Sequence, residues 1–209
     1  VLATNWCTWD LTIADTETGK VLQTAKIDGR YPRGIAVTSD SSTAYVAVMG
    51  GTGLAKVDLA SGAVSYIGGV GLGPRHIVIS PDDRSLYATL NKGGQVAKID
   101  TATGRVVSRV ATGTQPRSAD ISTDGTALYV VNYEDSNISK IRTSDMKVLM
   151  KEPAGHHPIG ITYDDFTGRV WVANYSGTID VWDEVPADGT GTTTTGPTAA
   201  AATSEGSGG

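Results

Sequence analysis

PRHIVISPDDRSLYATLNKGGQVAKIDTATGRVVSRV, residues 74–110, holds four short apolar runs separated by three turn clusters. The runs are Ile77 to Ile79, Leu86 to Leu90, Val96 to Ile99 and Val106 to Val110, all β-branched or alternating. Between them lie Ser80-Pro81-Asp82-Asp83, Asn91-Lys92-Gly93-Gly94 and Asp100-Thr101-Ala102-Thr103-Gly104. Runs of about five residues bounded by Gly, Pro, Asn and Asp read as strands, because a helix needs about ten uninterrupted residues. The stretch is therefore a four-stranded antiparallel unit. Its strands are named A to D in order: A follows the proline, B carries Tyr87, C ends at Asp100 and D ends at a glycine.

The unit recurs through the chain. Pro32, Pro74, Pro116 and Pro158 follow one another at intervals of 42 residues, as do Gly29, Gly71, Gly113 and Gly155. Tyr45, Tyr87, Tyr129 and Trp171 keep the same interval. Three residue classes on one period point to a repeat protein, and four strands per copy select a propeller blade over a helical solenoid. The chain is predicted to be all-β, a β-propeller of four-stranded blades of about 42 residues each. An Asp-x-x-Thr/Ser-Gly turn joins C to D at Asp15 to Gly19, Asp58 to Gly62 and Asp100 to Gly104. There the aspartate accepts backbone amide bonds and the glycine supplies a positive φ, a structural role and not a calcium site. The fourth copy reads Arg142-Thr143-Ser144-Asp145-Met146 without the glycine, so that hairpin is expected to turn differently.

The B strands read Tyr45-Val-Ala-Val48, Tyr87-Ala-Thr-Leu90, Tyr129-Val-Val-Asn132 and Trp171-Val-Ala-Asn174. With the Pro-x-x-Ile segment before them and the Asp-Thr-x-Thr-Gly turn after them, they resemble the YVTN family of bacterial and archaeal β-propeller repeats. The resemblance covers Val1 to about Glu184. It implies a surface or periplasmic protein, on a scaffold shared with quinoprotein dehydrogenases and streptogramin lyases. It carries no activity with it.

Leu2 lies as far before Asp15 as Tyr45 lies before Asp58, so the chain opens in a B strand, and residues 159–182 supply A, B and C of a last blade. An incomplete first blade and an incomplete last blade do not combine into one closing blade. A partial ring of a larger propeller is expected, most often seven-bladed in similar proteins, with a closed five-blade ring as the alternative. Residues 1–184 form the blades. Residues 185–209 are Thr, Ala, Gly, Ser and Pro with few charges, a composition expected to give a disordered tail or linker. The net charge of -5, with Lys and Arg scattered among acids, argues against a nucleic-acid partner. No apolar run approaches the roughly 20 residues of a membrane helix. One cysteine, Cys7, makes no internal disulfide. Any export signal is expected upstream of Val1.

Propeller topology sorts candidate residues. If strand A runs from top to bottom, the D–A and B–C loops gather on top, and the A–B and C–D turns beneath. Arg33, Arg75 and Arg117 each follow the repeat proline, so pseudo-symmetry arrays them around the central funnel. Each offers a planar fork of donors suited to carboxylate, phosphate or sulfate, or else bonds to neighbouring-blade carbonyls or a repeated aspartate. His76 stands where the other copies have Gly34, Ser118 and Gly160, and His157 aligns with Tyr31, Gly73 and Gln115. Asn132, Asn174, Trp6 and Trp9 share the top face, the tryptophans in a B–C loop suited to sugar stacking or protein contact. The lower face gathers Asp40, Asp58, Asp82, Asp83, Asp100 and Asp124. No catalytic motif, metal site or cofactor is indicated. The sequence thus points to a noncatalytic extracytoplasmic scaffold whose funnel binds a protein, a glycan or a small anion. An enzyme of the lyase, lactonase or quinoprotein dehydrogenase kind is the alternative.

Overall fold

The computed structural model describes residues 1–183 and the backbone of Ala200–Ala201, and every regular element in them is a β-strand. The first sheet has three strands, β1 (Leu2–Asn5), β2 (Asp10–Ala14) and β3 (Val21–Lys26). Four four-stranded sheets follow. The second holds β4 (Pro32–Val37), β5 (Thr43–Val48), β6 (Leu54–Asp58) and β7 (Val64–Ile67). The third holds β8 (Pro74–Ile79), β9 (Ser85–Leu90), β10 (Gln95–Asp100) and β11 (Val106–Ala111). The fourth holds β12 (Pro116–Ile121), β13 (Ala127–Asn132), β14 (Asn137–Arg142) and β15 (Lys147–Pro153). The fifth holds β16 (Pro158–Asp164), β17 (Arg169–Asn174), β18 (Thr178–Asp183) and the two-residue β19 (Ala200–Ala201). All pairings are antiparallel meanders, which makes the molecule a partial β-propeller. No helix among the described residues is long and apolar enough to cross a membrane.

Each A strand begins at its proline and not after it. Proline is tolerated at a strand's first residue because no inner ladder bond is asked of its missing N–H. The repeated glycine has a contact reason. A Cβ on Gly29, Gly71, Gly113 or Gly155 would lie 2.6, 2.3, 2.6 or 2.5 Å from the side chain of Val48, Leu90, Asn132 or Asn174. These four partners occupy one repeat position, the last residue of strand B. The D–A connection therefore runs tight against the end of B in every blade.

The repeated tyrosines are buried between blades, and each sits opposite a lysine of strand C: Tyr45 with Lys56, Tyr87 with Lys98, Tyr129 with Lys140. The ammonium groups lie 5.9, 5.7 and 5.4 Å from the ring centroids, within cation–π range. Lys98 reaches on to donate to the Thr143 carbonyl at 2.8 Å, tying the third blade to the fourth. Among the described residues, apolar side chains form four cores, each between two successive blades. Tyr45, Leu54 and Ile67 meet Ile77, Leu86 and Leu90 in one, and Tyr129, Val131 and Ile138 meet Val170, Val172 and Trp182 in another. Stability is thus a chain of nearest-neighbour interfaces.

The fourth C–D hairpin does not turn differently, contrary to the expectation from its missing glycine. Met146 takes φ 57°, matching Gly19, Gly62 and Gly104 at 67°, 71° and 67°. Its side chain is buried in the core between the third and fourth blades, which offsets the left-handed strain. The side-chain bridge has changed chemistry instead. In the other copies the aspartate accepts from the Thr or Ser three residues on, as Asp100 does from Thr103, whereas here Arg142 pairs with Asp145 through two bonds of 3.0 and 2.7 Å. The arginine bonds hold the Asp145 carboxyl well below the usual range, at about 2.

The end sheet shows what a neighbour contributes. Strand β13 is buried at every position, while β17 alternates exposed and buried residues. Trp171 is 37% exposed where Tyr129 is 2% exposed. The tail was expected to lack regular structure, yet Ala200–Ala201 pairs with Ile179 and Thr178 on β18, at the outer edge of the fifth sheet. Backbone pairing needs no large apolar side chain, so composition did not disclose it. The rest of the 185–209 expectation lies outside the described residues.

Gly71→Ala combines a φ of 146° with a clash against the buried Leu90 side chain. It is expected to destabilise the protein by about 1–3 kcal/mol. Gly68→Ala, with nothing within 4 Å of its added Cβ, should stay within about 0.5 kcal/mol. Thermal melts of both variants check the pair, and equal losses would refute the close-approach account.

Candidate ligand-binding funnel

The arginines owe their placement to a backbone irregularity. Pairing between A and B skips register just after each proline, between Pro32 and Ile35, Pro74 and His76, Pro116 and Ala119, and Pro158 and Gly160. Bulges re-aim side chains away from the regular pleat. Arg33, Arg75 and Arg117 sit in three of these skips, and Ile159 in the fourth.

The three guanidiniums converge closely enough to act on one another. Burial, followed by the charges of Arg33 and Arg117, lowers Arg75 to about 10. Burial and then the charge of Arg117 also lower Arg33. Among the described residues no carboxylate forms an ion pair with any of the three, and Nε of Arg33 and of Arg117 are buried without a hydrogen-bond partner. Buried charge is ordinarily paired. Among the described residues these side chains make neither of the bonds weighed from the sequence, to neighbouring carbonyls or to a repeated aspartate. Two of them lie on aromatic faces, Arg33 over Trp6 at 4.1 Å and Arg117 over Tyr133 at 3.3 Å.

Two aromatic walls flank the cluster. Trp6 stacks on Tyr31 with centroids 4.4 Å apart, and Tyr133 stacks on His157 at 4.2 Å. Both pairs join a B–C loop residue to the residue before the next blade's proline. Tyr31 and His157 hold left-handed backbone there, φ 64° and 55°. Tyr175 meets Tyr133 edge-on at 5.8 Å. Trp6, Tyr133 and Tyr175 share a repeat position with Met49 and Asn91. The sequence reading passed over Tyr133 and Tyr175, although the comparison of equivalent positions that singled out His76 and His157 would have found them.

His76 lies between the third and fourth blades. Its Nδ1 accepts from the Ala119 N–H at 3.3 Å, which holds the neutral tautomer with the proton on Nε2. Burial is the main cause that lowers its pKa below the usual histidine value. Thr4 and Thr89, at one repeat position, donate to the backbone carbonyls of Arg33 and Arg117 at 2.7 Å each, and Ser118 donates to Ile159 at 2.6 Å. These bonds pin the bulged strands across blade junctions. A cavity of about 490 Å³ is lined by Thr4, Arg33, Arg75, His76 and Ser118.

Other sequence candidates lie elsewhere. Asn132 and Asn174 are buried, and their amides donate within the B–C hairpin, to Asn137 and Ser139 and to Thr178 and Asp180. The Trp9 ring lies 5.4 Å from the Arg30 guanidinium. His157 has an acid on the top face that the sequence reading did not foresee, Glu134 at 3.9 Å. Among the described residues no group of three His, Cys, Asp or Glu is placed to hold a metal ion. The lower aspartates serve turns: Asp40, Asp82 and Asp124 accept from Thr38, Ser80 and Ser122, and Asp83 bridges to Ser39 of the preceding blade.

No family model matches the chain, and no curated protein does. Solved propeller structures do. A Kuenenia stuttgartiensis hydrazine synthase superposes with a TM-score of 0.77 at 21% identity, over 87% of this chain and 59% of that one. A functionally unknown protein from Desulfotomaculum acetoxidans DSM 771 superposes with a TM-score of 0.73 at 17% identity, over 87% and 61%. The chain thus spans about three-fifths of either structure, and at these identities the likeness is one of fold.

The half-buried neutral His76 makes stability depend on pH. Its folded pKa lies below the unfolded value of 6.5, so the unfolded state binds the proton more readily, and stability present above pH 6.5 is lost as pH falls below it. Urea denaturation of wild type and His76→Gln between pH 8 and 5 should show the loss in wild type and a flatter profile in the variant. Superimposable profiles would show that His76 is not held neutral.

Proposed function

We propose that this partial propeller is a noncatalytic, extracytoplasmic scaffold of the YVTN kind that binds a small anionic ligand through its central funnel. The observation that carries the reading is the convergence of Arg33, Arg75 and Arg117 without a carboxylate partner among the described residues. An anion placed there supplies the countercharge, and the edges of guanidiniums whose faces are covered by Trp6 and Tyr133 suit bidentate oxyanion recognition. The extracytoplasmic placement draws support from the B-strand resemblance and from the Thr-, Ala- and Gly-rich composition of residues 185–209.

Binding is favoured over turnover by how the acid–base groups at the funnel are engaged: His157 and Glu134 stand 3.9 Å apart, beyond hydrogen-bond reach, and the His and Asp of the lower cavity are each bonded to the scaffold. His76 offers Nδ1 to the Ala119 N–H, and the Asp120 carboxylate accepts from Ile121, Thr162 and Tyr163. Both are tied to the scaffold and not to each other. The lyase, lactonase and quinoprotein dehydrogenase readings ask for a histidine and an acid in mutual hydrogen-bond contact within the funnel.

Calorimetric titration with inorganic phosphate should detect binding that weakens as salt rises, since partly exposed charges are screened over about 10 Å at 0.1 M ionic strength. Arg75→Ala should weaken it by roughly 1.5 to 3 kcal/mol, tenfold to more than a hundredfold, with the melting temperature kept. A variant that melts lower yet binds phosphate unchanged would make the arginine structural and remove the anion reading.

A further inference from the structure

Below the arginines the funnel changes character. A second cavity of about 310 Å³ runs along the inner strands, lined by Ile35, Ile77, Val78, Ile79, Ile121 and Ile161. It shares Ile35 and His76 with the polar cavity above, so those two residues stand at the junction. Ile35, Val78, Ile79, Ile121 and Ile161 keep part of their surface open to solvent, a cost that an apolar occupant relieves. The polar side chains lining the lower cavity are His76 and Asp120. Asp120 turns its oxygens to the N–H groups of Ile121 and Tyr163 and the Thr162 hydroxyl, and His76 is held by Ala119. Both are thus hydrogen-bonded to the scaffold, and the Asp120 charge at the lower cavity disfavours placing an acid head there.

We infer that the funnel takes an amphiphilic acid: the acid head lies among Arg33, Arg75 and Arg117, and an unbranched aliphatic chain runs past His76 into the isoleucine-lined lower channel. This inference rests on the anion-binding reading of the same funnel and adds the apolar half of the ligand to it. Charge complementarity fixes the orientation, because Arg33 and Arg75 line the upper cavity and no arginine lines the lower one. Both cavities lie within the range of small-molecule sites, which are mostly apolar with a few placed polar groups. The acid head is a carboxylate or a phosphate monoester.

The test is a titration of the whole chain with acetate, butanoate, hexanoate and octanoate below micelle concentration, alongside inorganic phosphate and octyl phosphate. Affinity should rise about fourfold per methylene, the worth of one buried CH₂, which makes octanoate on the order of a hundredfold tighter than butanoate. Octyl phosphate outbinding octanoate assigns a phosphate head, and the reverse assigns a carboxylate. Ile79→Thr should flatten the chain-length dependence and leave acetate and inorganic phosphate unchanged, whereas Arg75→Ala should lower the whole series together. Octanoate and octyl phosphate binding no better than acetate and inorganic phosphate would overturn the inference and leave the anion funnel in place. No binding by any of these anions would remove the funnel reading itself.

Discussion

A sheet buried on both faces needs a neighbour on each, and the rest of this architecture follows from that constraint. The central strands β9 and β13 are buried almost throughout, so neither sheet could stand in water alone. Each blade instead shares a core with the one before and the one after, and the repeated Tyr–Lys pair marks the junction in three copies. On β17, which meets no further blade among the described residues, the pattern reverts to alternate exposure. The period of 42 residues is therefore the length at which one blade's face meets the next.

The arginine-bearing end is built from departures from the regular pleat. Bulges after the prolines turn three arginines out of the pleat, and hydroxyls of Thr4, Thr89 and Ser118 hold those strands to their neighbours. The scaffold thus bears the cost of crowding three cations, offset in part by aromatic faces at Trp6 and Tyr133. Non-glycine residues in left-handed backbone at Tyr31 and His157 carry the same aromatic walls. Unpaired charge at one end of a regular scaffold marks where the fold was not optimised for stability alone.

The A–B and C–D turns tell the opposite story. Their aspartates, serines and threonines satisfy one another and the backbone within a few residues, and the fourth C–D turn replaces the set with an ion pair and Met146 while keeping the same φ. Local backbone geometry is conserved there by whatever side-chain chemistry achieves it.

The sequence by itself determined the strands, their order in each blade, the propeller and the arraying of Arg33, Arg75 and Arg117 at one end, because all of these follow from a period and from local turn chemistry. It also placed His76 at a special position. Asn132, Asn174 and Trp9 share the arginines' end in any such reading, yet their surroundings depend on cross-strand and inter-blade distances that spacing does not encode. Only the tertiary structure decided that the asparagine amides bond inside their hairpins, that Tyr133 and Tyr175 join the arginines, and that an apolar channel opens below them. Periodicity states which residues are equivalent. Which of them meet is set by the curvature of the arc and by bulges that regular pairing does not predict.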